Sequence, residues 1–472
     1  MADDIARLAS FIDGERTASS SDKGMALASP IDGRQYAFLE EAAPATLDRA
    51  VQSAEAAYRA NRRSTTAQRA QWLNAAASAI DGATEEIISL LITDIGKPRR
   101  AATFEATRSA QFVRACSAQS LTLGGETVPV DAAATGAGRL GFVWRVPFGV
   151  VGAITPFNAP INLLVQKVAP AIAAGNAVVV KPAPTATRVA LRVAELFVKA
   201  GVPKGLFNVV TGDREAALGL AGHTGVSAVT FTGGTAAGDA LARAAGAKKF
   251  VAELGSNAAN IVLADADVAD AAKRIAAAAF EASGQQCISA QRIIVEAKVY
   301  DAFVQAFVAA ARGLKMGEPS DPNVDLGPMV SAAAADRVMR MVDDLTRRGG
   351  RFVLAPERRD CYISPGIAVD APREASLWCD EVFGPLALVE RAADANEALA
   401  LANDSPFGLQ GALFTKSLEQ TFRFARDFEV GSLWVNEASR FRLDMYPFGG
   451  VKDSGFGREG IRYAMEEYSQ LK

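Results

Sequence analysis

Four cysteines and one histidine limit the chemistry open to this chain. Cys287 stands in Gly284-Gln285-Gln286-Cys287-Ile288-Ser289, where a glycine ahead of the thiol and polar neighbours describe a tight, partly exposed turn. A lone cysteine is more often an inert buried thiol; a reactive one needs a lowered pKa or a nearby base. His223 is the only imidazole, so a Ser-His-Asp triad would have to use it, and a histidine zinc site has no second ligand of that type. The base for Cys287 is therefore expected to be a carboxylate. Glu253 ends the apolar run Phe250-Val251-Ala252-Glu253 and is the candidate. Partial burial would lift its pKa towards neutrality, as general-base work requires, whereas the plain alternative is a capping or solvated glutamate. Asn158, in Thr155-Pro156-Phe157-Asn158, could donate its amide to a developing oxyanion, worth about 3–4 kcal/mol, or simply cap a helix. Lys181 follows Ala177-Val178-Val179-Val180, where a nucleotide's ribose or phosphates would pass, or where a lysine could snorkel to solvent. Gly233-Gly234-Thr235-Ala236-Ala237-Gly238 opens a helix after an apolar run and could receive phosphate on its backbone N–H groups. It is not GxGxxG, and alone it is an ordinary glycine-rich turn.

These residues need a scaffold that brings them together. Short apolar runs recur at 148–154, 177–180, 206–210, 228–231 and 250–253, separated by about 20–30 residues containing alanine-rich helix. Continuous apolar strands alternating with helices indicate a parallel sheet covered on both faces, and such sheets bind ligands at the carboxyl ends of their strands. Ile154, Thr155, Pro156, Phe157, Lys181, Pro184, Gly212, Phe231, Thr232, Gly233, Thr235 and Leu254 stand at or just beyond those ends and are the expected cofactor contacts. A second α/β stretch runs from about Gly255 to Asn436, with strands near 292–296, 387–390 and 431–435. Ahead of the first sheet, Thr46 to Ala60 has helical spacing behind a threonine cap. Helical patterns continue to about Ala118. Residues 121–144 read as a hairpin-like arm, and the tail from Pro447 is glycine-rich and then helical.

The bulk properties agree with a large globular protein. The chain has 472 residues, 50% hydrophobic and 22% charged, with a net charge of −3. Its cations are spread out, so no nucleic-acid partner is proposed. No uninterrupted apolar window approaches a membrane span. The acidic N-terminus lacks an export signal's apolar core, and the expected location is cytoplasmic. Cys116, Cys287, Cys361 and Cys379 are scattered and do not form a disulfide framework.

Together the blocks TPFNAP (155–160), GNAVVVKPAPTA (175–186), FTGGTAAG (231–238), ELGSNAANIV (253–262), GQQCIS (284–289), EVFGPL (381–386) and PFGGVKDSGFGREG (447–460) resemble the aldehyde dehydrogenase superfamily, over nearly the whole chain. The resemblance implies an α/β fold with a Rossmann-type NAD(P)-binding domain (1–120 and 145–254), an α/β catalytic domain (255–460), and a small β oligomerisation arm and tail (121–144 and 461–472). It implies that Cys287 forms a thiohemiacetal with an aldehyde and that Asn158 with the Cys287 N–H makes the oxyanion hole. Hydride passes to a nicotinamide, and Glu253 activates the water that releases a carboxylic acid. Lys181 resembles the ribose-binding lysine, Glu381 and Phe383 the pair holding the nicotinamide half, and Lys167 and Glu459 a proton-relay pair behind the base. The cofactor implied is NAD or NADP, no metal is called for, and the assembly implied is a homodimer or homotetramer.

The chain departs from the family pattern in places. Gly234 and Ser256 exchange the usual serine and glycine. Pro184 stands where a glutamate often holds the NAD ribose, which leaves NADP open. The tail stops at Lys472, where many relatives continue into another strand. The stretch ending in Arg108 and the segment Phe441-Arg442-Leu443-Asp444 resemble the branch acting on lactaldehyde, glyceraldehyde, succinate semialdehyde and phosphonoacetaldehyde. Arg108, Arg440 and Arg442 are candidates for facing an anionic tail, and Gln286 for a further contact. Ala159 and Gln286 stand where phosphonate-specific relatives tend to carry His and Arg. A small polar or anionic aldehyde is expected. A CoA-acylating semialdehyde dehydrogenase is the first rival, although those relatives usually lack the glutamate present at 253. A catalytically silent binding homologue is the second.

Overall fold

A computed structural model describes residues 5–17 and 23–472. Residues 1–4 and 18–22, including the start of the acidic N-terminus, lie outside the described residues. The five apolar runs become five parallel strands: β1 (Val150–Thr155), β2 (Ala177–Pro182), β3 (Phe207–Val209), β4 (Ala228–Thr232) and β5 (Lys249–Glu253). Their spatial order is β5-β4-β1-β2-β3. Every residue of β1 and β2 is buried. Helices on both faces leave no solvated side, which is why these strands read as unbroken apolar runs instead of alternating ones. Each fully buried valine contributes about 1.5–3 kcal/mol of transfer free energy, and Val178, Val179 and Val180 have no exposed surface at all. The chain winds outward from β1 through β2 to β3, then returns to place β4 on the other side of β1. That reversal opens a crevice beyond the carboxyl ends of β1 and β4.

A second sheet contains β6 (Ala259–Val262), β7 (Arg292–Glu296), β8 (Arg351–Leu354), β9 (Gly366–Val369), β10 (Leu386–Ala392), β11 (Gln410–Phe414) and β12 (Ser432–Val435). Its order is β8-β9-β10-β7-β6-β11-β12, parallel except for β8. The sequence reading anticipated β7, β10 and β12 and missed the rest. The short strands around them carry too little periodicity to separate from loops.

Four helices matter for the site: α1 (Pro44–Asn61), α2 (Arg99–Ser120), α3 (Asn162–Ala173) and α4 (Thr235–Ala245). The expected threonine cap of α1 is not used. The helix starts two residues earlier at Pro44, whose ring pre-sets the first helical φ. All twelve residues of α3 are buried, Gln166 and Lys167 included, so a cation is carried into the core. Residues 121–144 contain the antiparallel pair Glu126–Val128 and Gly141–Val143. Arg145–Pro147 then pairs with Ser469–Leu471, so arm and tail share a two-stranded ribbon. Gly455–Phe456 pairs antiparallel with β5, which draws Glu459 towards the first sheet. The unforeseen strands Ala6–Leu8, Gly24–Ala28 and Gln35–Glu40 make a separate small sheet. Among the described residues, no helix is long and apolar enough to cross a membrane.

Candidate active site

Cys287 lies on a loop held in an uncommon backbone shape. Ala282, Ser283 and Gly284 all have positive φ, at 53°, 57° and 65°. Two non-glycine residues in the left-handed region cost about 1–3 kcal/mol each, and such strain persists only where surroundings over-determine it. Here Ser283 Oγ donates to the Gly327 carbonyl at 2.7 Å, and Ser289 Oγ to the Gly284 carbonyl at 3.2 Å. Gly284 admits no side chain, since a Cβ there would stand 2.1 Å from the Gly384 carbonyl oxygen. The turn presents a half-buried Cys287 against Ile288, Leu409, Tyr446 and Phe448. Burial pushes the thiol well above its usual range, and the Glu253 charge pushes it further. The sulfur is therefore a thiol until a base takes its proton.

Two cavities meet at this sulfur. One, of about 800 Å³, lies in the crevice beyond β1 and β4. Of the expected cofactor contacts, Ile154, Thr155, Pro156, Phe157, Lys181, Pro184, Phe231, Thr232, Gly233, Leu254, Glu381 and Phe383 line it, together with Asn158 and Cys287. Gly212 and Thr235 do not. Gly212 backs onto Glu41, whose Oε1 would lie 2.7 Å from a Cβ there, and Thr235 Oγ1 turns to the Asp453 carbonyl at 3.4 Å. Asp213, Arg214 and Arg337 line the cavity without having been anticipated. The wall suits a dinucleotide. The hydroxyls of Thr155 and Thr232, at the two strand ends flanking the topological reversal, are buried without a hydrogen-bond partner among the described residues. A buried hydroxyl without a partner costs about 1–3 kcal/mol, so both await a ligand or water. The backbone at Gly234 opens onto free space at the start of α4, which lets a phosphate approach. Burial lowers the pKa of Lys181, while Asp213 and Glu41 act in the opposite sense. Glu381 accepts from the Ser256 N–H at 3.1 Å, and burial lifts its carboxyl to about 7 against the pull of that bond and of Arg337. Arg337 in turn donates to the carbonyls of Glu381 and Val382 and at 3.5 Å to that of Phe383, whose φ is 45°. Phe383 meets Phe157 edge-on at 5.8 Å.

The other cavity, of about 660 Å³, reaches Cys287 from the opposite side and is lined by Asn158, Gln286, Arg108, Arg440 and Arg442, among others. Both volumes fall in the usual range for small-molecule sites. Six cationic side chains and four carboxylates face this space, and the two remaining cations, Arg108 and Arg442, are backed by Asp444 and Glu459. The three arginines are not idle. Arg108 makes a two-pronged contact with Asp444, at 3.1 and 2.6 Å. Arg440 donates to Gln286 at 2.8 Å and to Glu281 at 2.5 Å. Arg442 donates to Gln166 at 2.6 Å and to Glu459 at 3.1 Å, over the face of Phe448.

Glu253, Lys167 and Glu459 line neither cavity. They form a buried charge cluster behind the thiol, completed by Arg442. Lys167 Nζ donates to Glu459 Oε1 at 2.7 Å and to Thr230 Oγ1 at 3.1 Å. Both oxygens of Glu253 are buried without a hydrogen-bond partner among the described residues. Burial, then the Glu459 charge, raises its carboxyl well above the usual range, against the opposing pull of Arg442 and Lys167. Burial alone would raise Glu459 too, but Lys167 and Arg442 outweigh it and hold that carboxyl low. Two carboxylates with separated proton affinities beside a thiol are suited to accepting and passing on a proton.

The sequence reading missed Lys97 and Glu105, which fix the turn carrying Asn158, and Arg337. The signal available for Lys97 was its place between Gly96 and Pro98 at the end of an apolar helical stretch.

A sequence profile described as "Aldehyde dehydrogenase family" matches residues 17–472. The chain is 40% identical over 404 residues to 3-sulfolactaldehyde dehydrogenase of Priestia megaterium, covering 85% of each chain. Among solved structures it is similar to aldehyde dehydrogenase 21 from Physcomitrella patens in complex with the reaction product succinate. That similarity has 33% identity and a TM-score of 0.94, covering 99% of this chain and 98% of the other. It is also similar to NADP-dependent glyceraldehyde-3-phosphate dehydrogenase from Bacillus halodurans complexed with NADP. Here the identity is 30% and the TM-score 0.95, covering 99% of this chain and 98% of the other.

Proposed function

The chain belongs to the aldehyde dehydrogenase family, and from that premise we propose that Cys287, Glu253 and Asn158 carry the NAD(P)-dependent oxidation of a small anionic aldehyde to its carboxylic acid. The observation that carries this reading is that Cys287 alone with Asn158 borders both cavities, one suited to a dinucleotide and one to a small substrate. An oxidation through a covalent intermediate needs a nucleophile at such a junction.

In this reading the Cys287 proton passes to Glu253 as sulfur adds to the aldehyde carbon. The carbonyl oxygen becomes an oxyanion and takes hydrogen bonds from the Asn158 amide and the Cys287 N–H. Nicotinamide, when bound, supplies the hydride acceptor, and an acyl thioester remains on Cys287. Glu253 then takes a proton from water as that water attacks the thioester carbon. The C–S bond breaks, sulfur regains a proton and the acid departs. Lys167 and Glu459 carry protons away from Glu253. Lys181, Glu381 and Phe383 would hold the nucleotide, with Thr155 and Thr232 supplying hydroxyls. The buried base favours water as acyl acceptor over an external thiol.

The guanidinium groups of Arg108, Arg440 and Arg442 at the substrate cavity supply donors suited to an anionic tail. The three relatives named above agree in kind: two have a sulfonate and a phosphate in their names, and the third was solved with the carboxylate product succinate. A second copy covering the exposed Leu140, Phe142 and Trp144 of the arm, and a cytoplasmic location, belong to the same proposal.

The test is NAD(P)H absorbance over a panel of anionic and neutral aldehydes, with Cys287→Ala beside the parent. Cys287→Ala is expected to lose oxidation while still binding nucleotide. Full turnover in that variant would overturn the assignment.

A further inference from the structure

Asn158 lies on a turn whose two ends are tied to one buried ion pair. Lys97 Nζ donates to the Asn158 backbone carbonyl at 2.7 Å. The same ammonium pairs with Glu105 Oε2. The other Glu105 oxygen accepts from the Ile161 N–H at 3.0 Å and the Asn162 N–H at 3.1 Å, at the start of α3. No side chain of the helix's own cap position serves those N–H groups. Lys97 and Glu105 are 7% and 4% exposed, so the pair is screened little by water. The Asn158 side-chain amide has no hydrogen-bond partner among the described residues, so its placement is inherited from the backbone beneath it.

We propose that Lys97 and Glu105 form a clasp that sets the position of the Asn158 amide at the reacting carbonyl. The inference rests on the reading of Asn158 as an oxyanion donor. Lys97 holds the front of the turn and Glu105 its back. The ion pair links the two, so that the turn and the first turn of α3 move as one body. These are positioning residues: although both reach the wall of the substrate cavity, their hydrogen bonds go to each other and to the turn, and they act through Asn158.

The test compares pre-steady-state NAD(P)H bursts at saturating aldehyde. The charge-neutral variant Lys97→Met/Glu105→Gln retains an acceptor for Ile161 and Asn162 and loses the grip on Asn158. Its burst is expected to fall about 10- to 100-fold. Nucleotide affinity, and alkylation of Cys287 by a neutral reagent that forms no oxyanion, should stay within about twofold. Asn158→Ala should lose about 100-fold or more. Adding the double change to Asn158→Ala should cost less than about twofold further, because the amide it positions is gone. Lys97→Arg keeps the ion pair but moves the donor, and it should show the same pattern at smaller size if the double variant does not fold. Parental bursts in both clasp variants overturn the clasp and leave Asn158 its role. A full-sized loss in the Asn158→Ala background also overturns it, as general damage. A parental burst in Asn158→Ala itself overturns the oxyanion reading, and the clasp with it.

Discussion

Lys167 Nζ donates to Glu459 Oε1 at 2.7 Å with neither side chain reaching solvent, at 0% and 1% exposure. Arg442 closes on the second carboxylate oxygen at 3.1 Å. A buried pair of this kind is weak evidence for stability, because desolvation offsets much of the attraction. Its consequence is electrostatic: it places a fixed negative charge beside the Glu253 carboxyl.

The pH dependence of acid release follows from that charge. As the proposed base Glu253 must be ionised, and burial and Glu459 both raise its pKa. Release is therefore lost as pH falls through a value above the usual carboxylate range. Glu459→Gln removes the second cause, so the acidic limb should move to lower pH. Single-turnover hydrolysis of the acyl-enzyme across pH measures this. A limb that stays in place or moves upward contradicts the coupling.

Nucleotide affinity should depend on pH through Glu381, whose carboxyl is lifted to about 7 by burial. In the proposed role its ionised form accepts from ribose hydroxyls, so binding should be tight above about 7 and weaken as pH falls through it. Glu381→Gln should bind more weakly and show a flattened profile. Fluorescence titration of NAD(P)H decides the matter, and an equally steep profile in the variant speaks against Glu381.

Gly284→Ala should disorder the loop that carries Cys287. The position has φ 65°, and a Cβ would meet the Gly384 carbonyl at 2.1 Å. Left-handed strain alone costs about 1–3 kcal/mol, and the clash adds to it. A lower Tm and a changed alkylation rate at Cys287 are expected, and parental values of both would show that the loop has room to yield.

Arg440 has the stronger claim to an anionic tail: all three arginines are paired, but its side chain is the most exposed, at 25% against 15% for Arg108 and 8% for Arg442. Arg440→Leu should raise KM for a carboxylate-bearing aldehyde about tenfold, near 1.4 kcal/mol, with a change of about twofold or less for a neutral one. Equal losses for both would falsify the anchoring role. Arg108→Leu should have the smaller effect on affinity.

Much of the first sheet was legible because β1 and β2 are buried on both faces, and such strands announce themselves as apolar runs. The strand ends then named most of the wall of the cavity beyond β1 and β4, apart from Gly212 and Thr235, whose neighbours Glu41 and Asp453 come from distant segments. Three arginines were legible only as charges. Their pairing with Asp444, Glu281 and Glu459 depends on segments up to 336 residues apart.

Taken by itself, the order of amino acids determined residue types and local pattern. It supplied a thiol in a glycine turn, a carboxylate at a strand end, an amide after another strand, and motifs that resemble one family. Only the tertiary structure decided what each group faces. Gly455–Phe456 joins β5 and draws Glu459 into the core, and Glu253 there feels a neighbouring charge instead of water. Proton affinity and hydrogen-bonding freedom are set by dielectric and by neighbours within a few ångströms. Those neighbours are chosen by long-range packing, which leaves no mark on local spacing.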